Sequence, residues 1–139
     1  MQQAPHYMDV FGEVSHFLMQ RCEEALASGI SRQRLCIDPG FGFGKTLDHN
    51  LTLLSRLGEM QSVVGMPLLA GLSRKSMIGK LTGKPAAERV AGSLAAVLFA
   101  VQQGARIVRV HDVADTVDAL AVWQAASSAA QRNTERLTQ

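Results

Sequence analysis

The sequence predicts an α/β fold built on parallel strands. Three observations carry this. Leu35-Cys36-Ile37, "MPLLAGLS" (Met66 to Ser73) and "RIVRV" (Arg106 to Val110) are short, nearly continuous apolar runs, as expected of strands covered on both faces. Each is followed by a segment with apolar residues at helical spacing. The runs recur at intervals of roughly thirty to forty residues, the rhythm of βα repetition with parallel strands.

Taken in order, Phe11, Val14, Leu18, Cys22 and Ala25 fall on one face of a first helix, and Gly29 is placed to end it. The strand Leu35 to Ile37 then stops at Asp38-Pro39. A second helix starts near Asp48, a good N-cap residue, with Leu51, Leu54 and Leu57 turned inward. In the next strand Pro67 stands near the start, where the missing N–H costs no ladder bond. Ala86 to Gln103 reads as a third helix, apolar almost all round, closed by Gly104. After Arg106 to Val110, the spacing of Val113, Val117, Leu120 and Trp123 marks a fourth helix, and the polar tail 127–139 is expected to fray. Three strands and four helices are too few for a closed (β/α)8 barrel, which takes about 250 residues. The chain is therefore a small open α/β domain or roughly half a barrel. An opening helix with no strand before it favours the half barrel.

Bulk properties narrow the function. The chain has 139 residues, one domain's worth, with 47% hydrophobic and 19% charged residues, so it can bury a real core. A net charge of +2, with scattered basic residues and 5% aromatics, argues against a nucleic-acid or membrane-surface partner. No run approaches the roughly 18 apolar residues of a membrane span, and no signal-peptide order is seen. Cys22 and Cys36 are expected to be buried free thiols in a reducing cytoplasm.

"LCIDPGFGFGKT" (Leu35 to Thr46) raises the question of a phosphate cradle. Gly44-Lys45-Thr46 matches the end of a Walker-type loop, but Pro39 occupies the position of its first glycine and removes a donor. Gly40, Gly42 and Gly44 also miss the dinucleotide spacing. Asp38 suggests another use. A carboxylate at the C-terminal end of a buried parallel strand sits where α/β proteins keep ligand groups, and a flat heterocycle with two adjacent N–H donors would satisfy it. The glycines would let the backbone pass close to such a ligand, and Phe41 and Phe43 offer flat walls.

The other two strand ends are also polar. Gly71, Ser73 and Lys75 share strand parity if the strand runs that far, which would aim Lys75 into the mouth of a site. Arg109 and His111, two apart, form a candidate anion clamp, unless Arg109 is neutralised by Asp112 or Asp115. Elsewhere, His6, His16 and His49 lack metal-ligand spacing, and no HExxH, CxxC or GxSxG motif occurs. Ala91, Gly92, Ala95 and Ala96 suggest close helix packing, within the fold or at a subunit contact.

"LCIDPGFGFGK", "LLAGLSRKSMIG" and "IVRVHDV", in this order and spacing, resemble dihydropteroate synthase, a folate-pathway enzyme family of bacteria, over essentially the whole chain. The resemblance implies the C-terminal part of a (β/α)8 TIM barrel that condenses a dihydropterin-methyl diphosphate with p-aminobenzoate and releases diphosphate. It implies that Asp38 pairs with the amino-pyrimidine edge of the pterin. Lys75 would reach the pterin ring and the aminobenzoate side, while Arg109 and His111 would stack on the pterin and hold the diphosphate. Phe43 and Ser76 would border the aminobenzoate, Gly71 would belong to the substrate-binding set, and Lys75, Arg109 and His111 would be catalytic. A homodimer, a cytoplasmic location, sulfonamide targeting and a magnesium ion are implied as well.

The family's magnesium ligand belongs to an N-terminal half with no counterpart here, so no metal ligand is expected from this chain. The 139 residues are accordingly expected to be a portion of the enzyme, inactive alone, with exposed sheet edges. Competing readings are a non-catalytic pterin-binding half barrel or association piece, a P-loop NTPase disfavoured by Pro39, and the pterin module of a folate-dependent methyltransferase. The cations of "GLSRKS" and "RVHDV" favour the synthase.

Overall fold

The computed structural model describes residues 6–138. Helix α1 (Val10–Ala27) opens on Asp9, whose carboxylate accepts the Gly12 N–H at 3.1 Å. Glu13 turns back to accept the N–H groups of Met8 and Asp9, so donors left free at the helix start are satisfied locally. Gly29, at φ 88°, turns the chain away at the other end.

The three predicted strands lie side by side and parallel, but the ladder is shorter than the apolar runs. Ile37 bridges Leu68, and β1 (Leu69–Ala70) pairs with β2 (Ile107–Val108) in the register Leu69–Ile107 and Ala70–Val108. Hydrogen bonds from Ile37 N to Pro67 O (2.9 Å), Leu69 N to Ile37 O (2.8 Å) and Arg109 N to Ala70 O (3.0 Å) tie the segments together. The central segment is buried as expected, with Leu68, Ala70 and Leu72 fully enclosed. The outer ones are buried only in part, Ile37 being enclosed. Ile107 is 44% exposed and Cys36 is exposed, so of the two cysteines only Cys22 is the buried thiol the sequence predicts. Among the described residues each outer segment pairs on one side only.

The second helix divides at Arg56 (φ −117°, ψ 20°) into α2 (Leu47–Ser55) and α3 (Leu57–Val64). Its N-cap is Thr46, not Asp48. The Thr46 hydroxyl accepts the His49 N–H at 3.1 Å and the His49 ring nitrogen accepts the Thr46 N–H at 3.2 Å, a reciprocal cap in which histidine takes the usual glutamate's part. Leu53, Leu57 and Met60 are fully buried, whereas Leu51 points outward. Helix α4 (Ser76–Thr82), which the sequence analysis does not foresee, packs on α5 (Val90–Gln102). Residues Ala86–Glu88, expected to start that third helix, form a separate 3-10 turn because Arg89 leaves the helical region. Its side chain donates to the carbonyls of Lys84 and Arg74.

Helix α6 (Val113–Leu137) departs most from expectation. It continues through the tail predicted to fray, whose Ala, Gln, Arg and Glu residues are good helix formers. Its expected inner residues Val113 and Val117 are exposed, and Thr116 is the buried position instead. The core joins α1 (Phe11, Val14), α2 and α3 (Leu53, Leu57, Met60), β1 and the start of α4 (Met77, Ile78).

Gly92 fits the close-packing expectation, since a Cβ there would lie 2.5 Å from Ile78 Cγ2. Gly92→Ala should therefore destabilise the fold by about 1–3 kcal/mol, read from urea denaturation, although alanine is the better helix former.

Candidate functional site

The glycine loop between Ile37 and α2 is closed on itself. Gly40, Gly42 and Gly44 all adopt positive φ (71°, 84° and 58°), which other residues reach only with strain. The N–H groups of Gly40, Gly42 and Phe43 are used within the fold and do not fan outward as a phosphate cradle requires. Gly40 N donates to Asp38 Oδ1 (2.9 Å), Gly42 N to Asn50 Oδ1 (2.8 Å) and Phe43 N to Gly40 O (3.2 Å). Lys45, the residue a nucleotide loop would aim at phosphate, donates instead to the carbonyls of Gly40 (2.9 Å) and Phe43 (3.0 Å). Asn50 is buried and also holds Thr46 O at 2.8 Å, so α2 fixes the loop from beneath. The loop thus serves its flanking side chains. Phe41 is fully buried core and not the expected ligand wall, while Phe43 stands 69% exposed at the surface of the site.

Asp38, Lys75 and Arg109 come together from three different strand ends. Asp38 keeps one oxygen on Gly40 N and offers the other to the Arg109 guanidinium at 3.3 Å. Asp112 is not the partner of Arg109. It forms a two-pronged pair with Arg74, at 3.1 and 2.7 Å. Gly71 makes the Arg109 position possible, because a Cβ there would lie 2.7 Å from Arg109 Nη2. Lys75 does not arrive by strand parity, as the strand ends at Ala70. It stands immediately before α4, donates to the Phe41 carbonyl and holds its ammonium 4.8 Å from the centre of the Phe43 ring. Ser76 follows it, exposed, as the first residue of α4.

His111 is held by Ser73, whose hydroxyl accepts the His111 backbone N–H at 3.1 Å and lies 2.9 Å from its ring Nδ1. Ser73 is buried and cannot itself meet a ligand. Arg109 and His111, expected to act from one face, therefore lean on different supports, Asp38 and Ser73. The supporting roles of Asn50 and Arg74 are absent from the sequence analysis, and Asp112, considered there as a partner of Arg109, supports Arg74 instead. Only the polar residues flanking each candidate hinted at them, with no periodicity to separate support from surface.

The electrostatics are those of a site for an anion. Lys45, Lys75 and Arg109 all stand close to the Asp38 carboxylate. Burial pushes the Lys75 ammonium below the usual lysine range. Asp38 opposes that shift, and Arg109 and Lys45 reinforce it. Burial lowers Lys45 likewise, again against the pull of Asp38. On its α1 side Asp38 borders a cavity of about 450 Å³ whose lining includes Tyr7, Glu13, Phe17, Leu18 and Lys45, so a second carboxylate faces the same space. Among the described residues no cluster of three His, Cys, Asp or Glu side chains could hold a metal ion. Asp38, the carboxylate at the centre, is committed to Gly40 and Arg109, so the residues here do not fit a magnesium site.

Comparison with known proteins gives this arrangement relatives. The family described as pterin binding enzyme matches residues 1–111. The dihydropteroate synthase of Neisseria meningitidis serogroup C is 57% identical over 126 residues, covering 90% of this chain and 44% of the relative. Among solved structures, dihydropteroate synthase from Stenotrophomonas maltophilia with active site-bound imidazole superposes with a TM-score of 0.88 at 58% identity, covering 91% of this chain and 48% of that one. The Xanthomonas albilineans enzyme in complex with 7,8-dihydropteroate gives 0.86 at 55% identity, covering 91% and 50%. The chain spans about half the length of the relatives it matches. Its parallel βα units are part of a (β/α)8 barrel, and with a family match over most of its length the chain belongs to the pterin binding enzymes.

Proposed function

We propose that this chain provides the pterin- and diphosphate-binding strand ends of a dihydropteroate synthase. The observation that carries the reading is the convergence of Asp38, Lys75 and Arg109 from three strand ends, one carboxylate among cations beside an exposed aromatic ring. In this reading Asp38 accepts two N–H groups from the amino-pyrimidine edge of a dihydropterin. An analogue lacking those donors would leave the carboxylate unpaired, a loss that gives discrimination as well as affinity.

The bond from the pterin methylene to the diphosphate oxygen breaks, and its electron pair leaves with the diphosphate. A new bond forms from the methylene to the aniline nitrogen of p-aminobenzoate, which then releases a proton. Arg109 and His111 hold the leaving diphosphate and stabilise the charge that builds on it. Lys75 lies between the Phe43 ring and the strand ends, where it can contact the pterin ring and limit where the aminobenzoate lies. Phe43 and Ser76 border that second substrate. The magnesium ion implied by the resemblance takes its ligands from outside the described residues in this reading, and no step here runs through it. A second copy of the enzyme is the expected protein partner, and the cytoplasm the expected compartment. Among the described residues no helix is long and apolar enough to cross a membrane.

Calorimetric titration with 7,8-dihydropterin-6-ylmethyl diphosphate should give saturable binding that Asp38→Asn weakens by at least about tenfold, the scale of one lost charged hydrogen bond. Equal binding by the variant would overturn the pterin assignment. The 139 residues by themselves should bind without turning over, because this reading takes further substrate contacts from strand ends beyond those described. Dihydropteroate formed by the purified chain would contradict that.

The lowered Lys75 pKa has a sign that can be tested. The overall negative charge of the substrate favours the charged lysine, so affinity should begin to fall with rising pH before an ordinary lysine would lose its proton. Following the Lys75 side chain by NMR, Asp38→Asn should lower its midpoint further, because the opposing carboxylate is gone, and Lys45→Met should raise it. Opposite signs would mean that these groups do not share one electrostatic site.

A further inference from the structure

Arg74 is the one non-glycine residue with positive φ (56°) among the described residues, and nothing in the reading above uses it. A left-handed arginine persists only where its surroundings over-determine it. Here they do so at three points. The Arg74 N–H donates to Ser93 Oγ at 2.9 Å, and Ser93 is itself buried and donates to Arg89 O at 2.6 Å. The Arg74 carbonyl accepts the Arg89 guanidinium at 2.8 Å. The Arg74 side chain then crosses to Asp112 with two parallel N–H···O bonds, at 3.1 and 2.7 Å, the planar geometry that lysine cannot reproduce.

The two ends of this pair sit beside different parts of the site. Arg74 immediately precedes Lys75 and Ser76, and Asp112 immediately follows His111. Helix α5, through Ser93 and the adjoining Arg89, anchors the first turn, and Asp112 fixes the second at the start of α6, where its backbone carbonyl also accepts the Thr116 hydroxyl at 2.7 Å. Gly79 leaves the space for this anchoring, since a Cβ there would overlap the Arg89 guanidinium.

We propose that Arg74 and Asp112 are positioning residues, a clamp that fixes the turn bearing Lys75 and Ser76 against the turn bearing Arg109 and His111 before an anionic substrate arrives. Its contribution to ligand binding rests on the diphosphate reading given above, but the mechanical coupling of the two turns does not. The strained backbone is the means of reaching Asp112. Arginine is required for its side chain, at a position where the backbone alone would favour glycine.

Two measurements separate these statements. In amide hydrogen exchange without ligand, Asp112→Asn should speed exchange at Lys75 and Ile78, in the other turn, by roughly tenfold. An effect confined to residues 109–116 would overturn the clamp. In titrations with inorganic pyrophosphate, Arg74→Gly, which relaxes the backbone but removes the side chain, should bind roughly tenfold more weakly at an unchanged melting midpoint. Arg74→Lys should fall between it and the parent. Parent-like binding and exchange in Arg74→Gly would show that the residue only shapes a turn, and would overturn the proposal. Should the parent itself bind no pyrophosphate while the exchange coupling is present, the diphosphate reading fails and the clamp stands.

Discussion

Parallel pairing of three short segments is the constraint on which everything else rests. Parallel strands all point the same way, so their C-terminal ends lie on one side of the sheet, and the chain must return through helices to start each one. Asp38 and Arg109 stand 71 positions apart in the chain yet meet at 3.3 Å because Ile37 bridges Leu68 and β1 pairs with β2. The central segment is the best buried of the three. Leu68, Ala70 and Leu72 are fully enclosed, and Gly71, between two of them, provides the gap across which Arg109 reaches Asp38. Core packing and site assembly thus share one five-residue stretch, Leu68 to Leu72.

The site is organised as contact residues resting on a layer of supports. Asp38, Phe43, Lys75, Arg109 and His111 are partly or fully exposed. Asn50, Ser73 and Ser93 are buried, and each holds a backbone group in or beside a strand-end turn. Burying a polar side chain is costly unless its partners are complete, so such residues specify one arrangement more strictly than apolar packing does. The glycine loop follows the same logic. Lys45 and Asn50 use the loop's own carbonyl and N–H groups, leaving it rigid rather than open to phosphate.

Charge is concentrated where the supports are densest. Three cations stand close to the Asp38 carboxylate, and the ammonium of Lys75 is held partly out of water against the Phe43 ring. Such a cluster is poorly balanced without a ligand. An anion would relieve the repulsion among Lys45, Lys75 and Arg109, and the diphosphate reading draws its physical plausibility from that imbalance.

The sequence by itself determined the α/β class, the order of the three strand segments and the identity of the polar residues after each. These follow from apolar runs, helical spacing and glycine placement, all local signals. It missed the break at Arg56 and misjudged the start of α5, the exposure of Cys36 and the inward face of α6, because those depend on what packs against each element. Only the tertiary structure decided that Asp112 belongs to Arg74 and Asp38 to Arg109, that Phe41 is core while Phe43 is not, and that Lys45 serves its own loop. Ion pairs and burial are settled by distance in space, and residues of the same type at similar spacing carry no local mark of the partner they will meet.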